Sequence, residues 1–137
     1  MRQLRKSAAS LGFQGDFLDP VEVTRLLGRN PSVGVAKGDV WYTSLGAEKR
    51  AETGSWRIWA DYREPANLDE QIRLLLEPLS ADLEVWRRLS GLYKGRIFAG
   101  LFLGSYNQGI GVHADTVTMM GERGLHLELD IYGHETD

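Results

Sequence analysis

Hydrophobic and polar positions along the chain fall into two periods. Near the C-terminus, Leu125-His126-Leu127-Glu128-Leu129-Asp130-Ile131-Tyr132 alternates strictly, which is the period of a strand. Leu125, Leu127, Leu129 and Ile131 share the face expected to meet a core. His126, Glu128, Asp130 and Tyr132 share the other. Ser55 to Arg63 repeats the pattern, with Trp56, Ile58 and Ala60 opposite Arg57, Trp59 and Asp61. Ala9, Leu11 and Phe13 mark a third strand within Ala8–Phe13, and Arg96–Leu103 a fourth. Ser32–Tyr42 is extended but interrupted by Gly34 and Gly38, and polar Leu45–Gly54 reads as the loop of a long hairpin.

The helical period appears between these strands. Asp19-Pro20-Val21-Glu22 carries a cap, a proline suited to the first turn and the acid of a capping box. Val23, Leu26 and Leu27 form the apolar side, and Gly28 suits a left-handed stop. Asn67-Leu68-Asp69-Glu70 opens a second helix whose stripe is Leu68, Ile72, Leu75, Leu76 and Leu79. Pro78 should end or kink it, because proline lacks a donor and crowds the preceding turn. The stripe resumes at Leu83, Trp86, Leu89 and Tyr93. A last short helix is predicted over Ala114–Glu122, closed by Gly124; His113 is a poor cap for it.

The order β-α-β-β-α-β-α-β predicts an α+β fold. Its first six elements match a ferredoxin-like βαββαβ core, extended by a C-terminal αβ whose last strand runs parallel to its predecessor. Helices are expected mainly on one face of a mixed sheet, in a single domain spanning 1–137. The length of 137 residues suits that expectation.

Composition narrows the chemistry. The absence of cysteine excludes disulfides, thiolate metal sites and cysteine nucleophiles. A net charge of -3 with mixed signs argues against nucleic acid as partner. No stretch approaches the roughly 20 apolar residues of a membrane span, and Ser7–Gly12 is too polar for a signal sequence behind Arg2, Arg5 and Lys6. The expectation is a cytoplasmic protein with no membrane partner.

Three features are candidates for function. Gly109-Ile110-Gly111-Val112-His113-Ala114 imitates a dinucleotide fingerprint. Five residues separate its first glycine from the strand, and no second half follows, so no cofactor is implied. His126, Glu128 and Asp130 could hold a hard or borderline metal, although alternate side chains of one strand lie about 6.5–7 Å apart. The more ordinary reading of the same row is a solvated sheet face. The aromatic candidates are Trp41, Trp59 and Tyr62, with Arg57 and Asp61 flanking Trp59. Tryptophan beside arginine is typical of binding hot spots; the other reading is a minor core beneath the Leu45–Gly54 loop.

A resemblance joins these elements. Leu18-Asp19-Pro20, Val23-Thr24, Leu26-Leu27-Gly28 and Pro31 resemble the first motif of an uncharacterised bacterial family, domain-of-unknown-function family 4279. Gly54-Ser55-Trp56-Arg57-Ile58 resembles its tryptophan strand, and Leu68–Leu79 and Leu127–Tyr132 are similar too. The resemblance covers about Ser7 to Tyr132. It implies a small stand-alone bacterial protein and brings no catalytic residues. The leading functional expectation is a non-catalytic binding module. Its open sheet face would take a protein partner or a second copy, a toxin-neutralising immunity protein being one concrete form. The alternative is a small metal-dependent enzyme using His126, Glu128 and Asp130.

Overall fold

Strand β1 (Lys6–Gly15) is the centre of the molecule. Its odd positions Ser7, Ala9, Leu11 and Phe13 are buried, while Lys6, Ala8, Ser10 and Gly12 face the other way. The alternation seen in the sequence is thus a division between a closed and an open face. The computed structural model describes residues 2–134.

The chain continues through α1 (Pro20–Leu27), β2 (Val33–Val35), β3 (Val40–Tyr42), β4 (Glu48–Arg50), β5 (Gly54–Trp59), α2 (Leu68–Leu76), α3 (Leu83–Leu92), β6 (Lys94–Phe102), α4 (Ala114–Glu122) and β7 (His126–Tyr132). Five strands form one open sheet in the order β2-β5-β1-β6-β7, and β3 and β4 form a separate hairpin. β5 is antiparallel to β1 and β2, β6 is antiparallel to β1, and β7 is parallel to β6. The fold is α+β with a mixed sheet.

Local chemistry explains the helix limits. The Asp19 side chain accepts from the Val21 N–H, and Gly28 closes α1 at φ 84°. Asn67 caps α2 by accepting from the Glu70 N–H. Pro78 divides the long leucine stripe, and Asp82 restarts it by capping α3 at Glu84. The two segments are therefore separate helices.

Helices α2 and α3 pack on β1, α3 also on β6, and α1 on β5 and β2. Between them lie Phe13, Trp56 and Trp86, whose rings meet at centroid distances of 6.4 Å and 6.2 Å. Both buried indoles satisfy their donors: Trp56 Nε1 donates to Thr24 Oγ1 and Trp86 Nε1 to the Ser80 carbonyl.

Two sequence expectations are corrected. Leu45–Gly54 is not one loop, because Glu48-Lys49-Arg50 pairs with Val40-Trp41-Tyr42. An all-polar strand carries no alternation by which to recognise it. The leucine face of β7 is not core either. Leu125 is buried, but Leu127, Leu129 and Ile131 remain 43%, 49% and 59% exposed. β7 lies at the sheet edge, and α4 packs on α2 instead of roofing it.

Candidate functional site

The strand registers set out the open face as rows of side chains. Arg57, Gly12, Arg96 and His126 form one row; Trp59, Ser10, Phe98 and Glu128 form the next. Ala8, Gly100 and Asp130 follow, then Lys6, Phe102 and Tyr132. The middle of the face is small and uncharged, whereas its margins are aromatic and charged. The result is a trough of about 640 Å³ whose floor includes Ala8, Ser10 and Gly100 and whose walls include Trp59, Tyr62, Phe98, Phe102 and Tyr132.

A β-bulge aims one wall. Ser10 lies opposite Trp59 but Ser7 opposite Arg63, so three steps along β1 face four along the other segment. The extra residue turns the chain at Asp61 and Tyr62. Gln71, fully buried on α2, holds this turn by donating from Nε2 to the carbonyls of Ser7 and Asp61, at 3.0 Å and 2.8 Å. Its Oε1 accepts from the Ser7 hydroxyl, which itself accepts from the Asn67 N–H. A fully satisfied buried network of this kind fixes geometry.

One end of the trough is closed by stacked rings. Phe102 and Tyr132 lie 4.6 Å apart and nearly parallel, and Lys6 Nζ sits 4.4 Å from the Tyr62 ring centroid and 5.3 Å from that of Phe102. The other charges divide into two groups. Glu128 is held by Lys94 at 2.9 Å and by Arg96, and the hydrogen bonds from Lys94 and then Arg96 keep its carboxyl below the usual range. Tyr132 donates to Asp130 at 2.7 Å, a bond that raises the phenol's pKa. Arg57 and Asp61, by contrast, have no side-chain hydrogen bond or ion pair among the described residues.

Of the residues singled out from the sequence, Arg57, Trp59, Asp61 and Tyr62 line this one trough. Trp59 and Tyr62 are exposed and form no second core beneath the hairpin. Trp41 lies elsewhere, half-exposed on the separate hairpin. The row His126, Glu128, Asp130 is not brought together as a ligand set. Its members stay in separate rows, Glu128 is taken by two cations and Asp130 by Tyr132. No group of three or more His, Asp or Glu placed to hold a metal occurs among the described residues. The sequence reading missed Phe98 and Phe102, although Arg96, Phe98, Gly100 and Phe102 alternate with buried Ile97, Ala99 and Leu101.

A second charged cleft surrounds Asp69 and His113. Asp69 is buried and accepts from the His113 backbone N–H at 2.8 Å. It thereby supplies from α2 the N-terminal cap that His113 does not give α4. Burial pushes the Asp69 carboxyl up, but the His113 N–H leads the effects that hold it net below its ordinary value. Its position is explained by that capping role.

The molecule is thus an α+β domain with one sheet face closed by helices and the other open, aromatic-walled and concave. The chain belongs to the family described as Domain of unknown function (DUF4279), whose model matches residues 3–134. No curated protein and no solved structure matches it. No helix among the described residues is long and apolar enough to cross a membrane.

Proposed function

We propose that this chain is a non-catalytic binding module that receives an extended segment of a protein partner on its open sheet face. The observation that carries this reading is the trough itself, where Arg57 and Asp61, unpaired among the described residues, flank exposed Trp59 over a floor of Ala8, Ser10 and Gly100. Rigid aromatics and arginine provide contact area at low entropic cost and dominate many interfaces. A free guanidinium and a free carboxylate select a segment carrying one acid and one base, and the small floor admits its side chains. Strand order also supports reading β1, α1, β2, β5, α2–α3 and β6 as a ferredoxin-like core, with β3–β4 inserted between β2 and β5.

The test is a titration. A partner recovered with the tagged chain from its native cells is purified and measured by calorimetry against wild type, Trp59→Ala, Arg57→Glu and the helix-surface control Glu84→Ala. Trp59→Ala is expected to weaken binding by about thirtyfold, the scale of a central hot spot. Arg57→Glu should weaken it further than neutral truncation does, and Glu84→Ala should change nothing. Equal affinities of wild type and Trp59→Ala would remove the open face as the binding surface.

A further inference from the structure

The outer edge of β7 carries information that the trough does not. Tyr132 directs its carbonyl to β6, accepting from the Leu103 N–H at 3.0 Å. Main-chain groups alternate sides along a strand, so His126, Glu128 and Asp130 also face β6. Leu127, Leu129 and Ile131 then present their N–H and C=O groups to the free edge. These are the same three residues whose apolar side chains stand 43%, 49% and 59% exposed on the helix side. This edge strand of seven residues has no proline, lysine or bulge, and its charges, Glu128 and Asp130, stand on the open face away from the leucines.

We propose that the occupant of this edge is a second copy of the chain, paired β7 to β7 antiparallel across a two-fold axis at Glu128. Complementarity of β7 with itself, donor to acceptor on one face and apolar to apolar on the other, selects both the occupant and the register. A two-fold antiparallel pair keeps the leucine faces together only when odd positions meet odd positions. An axis at Leu129 sets Glu128 against Asp130 twice, and an axis at Asp130 sets two aspartates face to face; like charges directly opposite destabilise a sheet. An axis at Leu127 sets His126 against a Glu128 already held by Lys94 and Arg96 and leaves Ile131 beyond the paired segment. The axis at Glu128 sets His126, whose ring N–H can donate, opposite the Asp130 carboxylate of the second copy, twice. Leu127 then meets Leu129, and Leu125 meets Ile131. The two central glutamates are each already bound by Lys94 and Arg96, so the centre holds more positive than negative charge. The pairing joins two five-stranded sheets into one. It also brings His126 of the second copy beside Asp130, which accepts from the Tyr132 that lines each trough.

Sedimentation velocity of the full chain across the micromolar range tests the association. Wild type is expected to shift from monomer to dimer with concentration, and Leu129→Lys to need at least about tenfold more protein for the same shift. Trp59→Ala should match wild type. Leu129 is half-exposed, and an unchanged circular dichroism spectrum and melting profile confirm that its variant is folded. Register is tested by oxidation of His126→Cys/Asp130→Cys, in a chain with no other cysteine. These positions form a non-hydrogen-bonded pair with Cα atoms about 4.5 Å apart, within disulfide range. The double variant should become a covalent dimer, while either single substitution should not. Wild type that stays monomeric throughout, a dimer lost in Trp59→Ala but kept in Leu129→Lys, or a double variant that does not cross-link would each overturn the proposal.

Discussion

Replacing Gln71 by methionine isolates what holds the wall of the trough. The side chains are close in volume, so the exchange removes polarity with little cavity. Gln71 makes three hydrogen bonds, to the Ser7 hydroxyl and to the carbonyls of Ser7 and Asp61. Two of these partners keep another bond: the Ser7 carbonyl still accepts from the Arg63 N–H, and the Ser7 hydroxyl from the Asn67 N–H. The Ser7 O–H, in a fully buried side chain, loses its acceptor, and the Asp61 carbonyl, near solvent, loses its donor. An orphaned buried donor or acceptor costs about 1–3 kcal/mol, and a lost bond whose partner stays satisfied about 0.5–1.5 kcal/mol. With the buried Ser7 hydroxyl near the middle of the first range, the exposed Asp61 carbonyl at its low end and the Ser7 carbonyl in the second, the expected loss is about 3–4 kcal/mol. At a urea dependence of about 1–3 kcal/mol/M for a domain of this size, the midpoint should fall by about 1–2 M. Released from its tether, the Asp61–Tyr62 turn should also exchange its amide hydrogens faster than it does in wild type, while β5 is unchanged. An unfolding free energy unchanged within about 0.5 kcal/mol, the scale of an indifferent surface change, would refute this account of the bulge.

Acid should act through Asp69. Its folded pKa lies below the ordinary carboxylate value, so its stabilising share is complete above the unfolded pKa and disappears as pH falls through the folded one. Asp69→Asn should therefore cost about 1 kcal/mol at neutral pH, a gap that closes below about pH 4; a gap constant from pH 7 to 3 in urea melts would contradict it. Gly54→Ala should cost about 2 kcal/mol in the same melts, since its Cβ would lie 2.7 Å from the Gly15 carbonyl and 2.9 Å from that of Leu18. Gly91→Ala meets nothing within 4 Å on α3 and should instead gain about 0.5–1 kcal/mol; the same sign for both variants would show that close packing does not set these glycines.

Much of this architecture is legible in the sequence where local chemistry and periodicity agree. Asp19, Pro20 and Gly28 bound α1, and the Leu68–Leu79 stripe with Pro78 gives two helices. Ala114–Glu122 forms as expected even without a side-chain cap at His113, because Asp69 reaches across from α2. That substitution depends on a contact 44 residues away, which no local pattern carries. Gln71 lies on the stripe of Leu68, Ile72 and Leu75 at helical spacing, so its burial had a signal, but a polar residue there reads as surface until the bulge appears. Arg57, Trp59 and Asp61 share a face by alternation alone. Phe98 and Phe102 join them only once β1 is known to separate β5 from β6, a matter of strand order. The alternation of β7 gives its two faces, yet its leucine face lies outside the core because the edge position is a tertiary fact.

The two unpartnered surfaces meet on that edge strand. On the open side, β7 contributes Tyr132, bonded to Asp130, to the wall of the trough; on the helix side it exposes Leu127, Leu129 and Ile131. A merely solvated open face would alternate charges along β1, as exposed strand faces do. Instead Ala8, Ser10 and Gly12 occupy the centre, and the charges stand at the margins. A helix-side face closed within one chain would leave Leu127, Leu129 and Ile131 buried like Leu125, which it does not. Both departures from the ordinary pattern therefore point outward, one to each side of the same strand. If pairing of β7 fixes the positions of Asp130 and Tyr132, a segment seated in the trough and a second copy at the edge must strengthen each other by the same factor, because linkage between two binding equilibria is reciprocal. A trough segment that binds the Leu129→Lys monomer as tightly as the wild-type dimer would show that the two surfaces, though they share a strand, act independently.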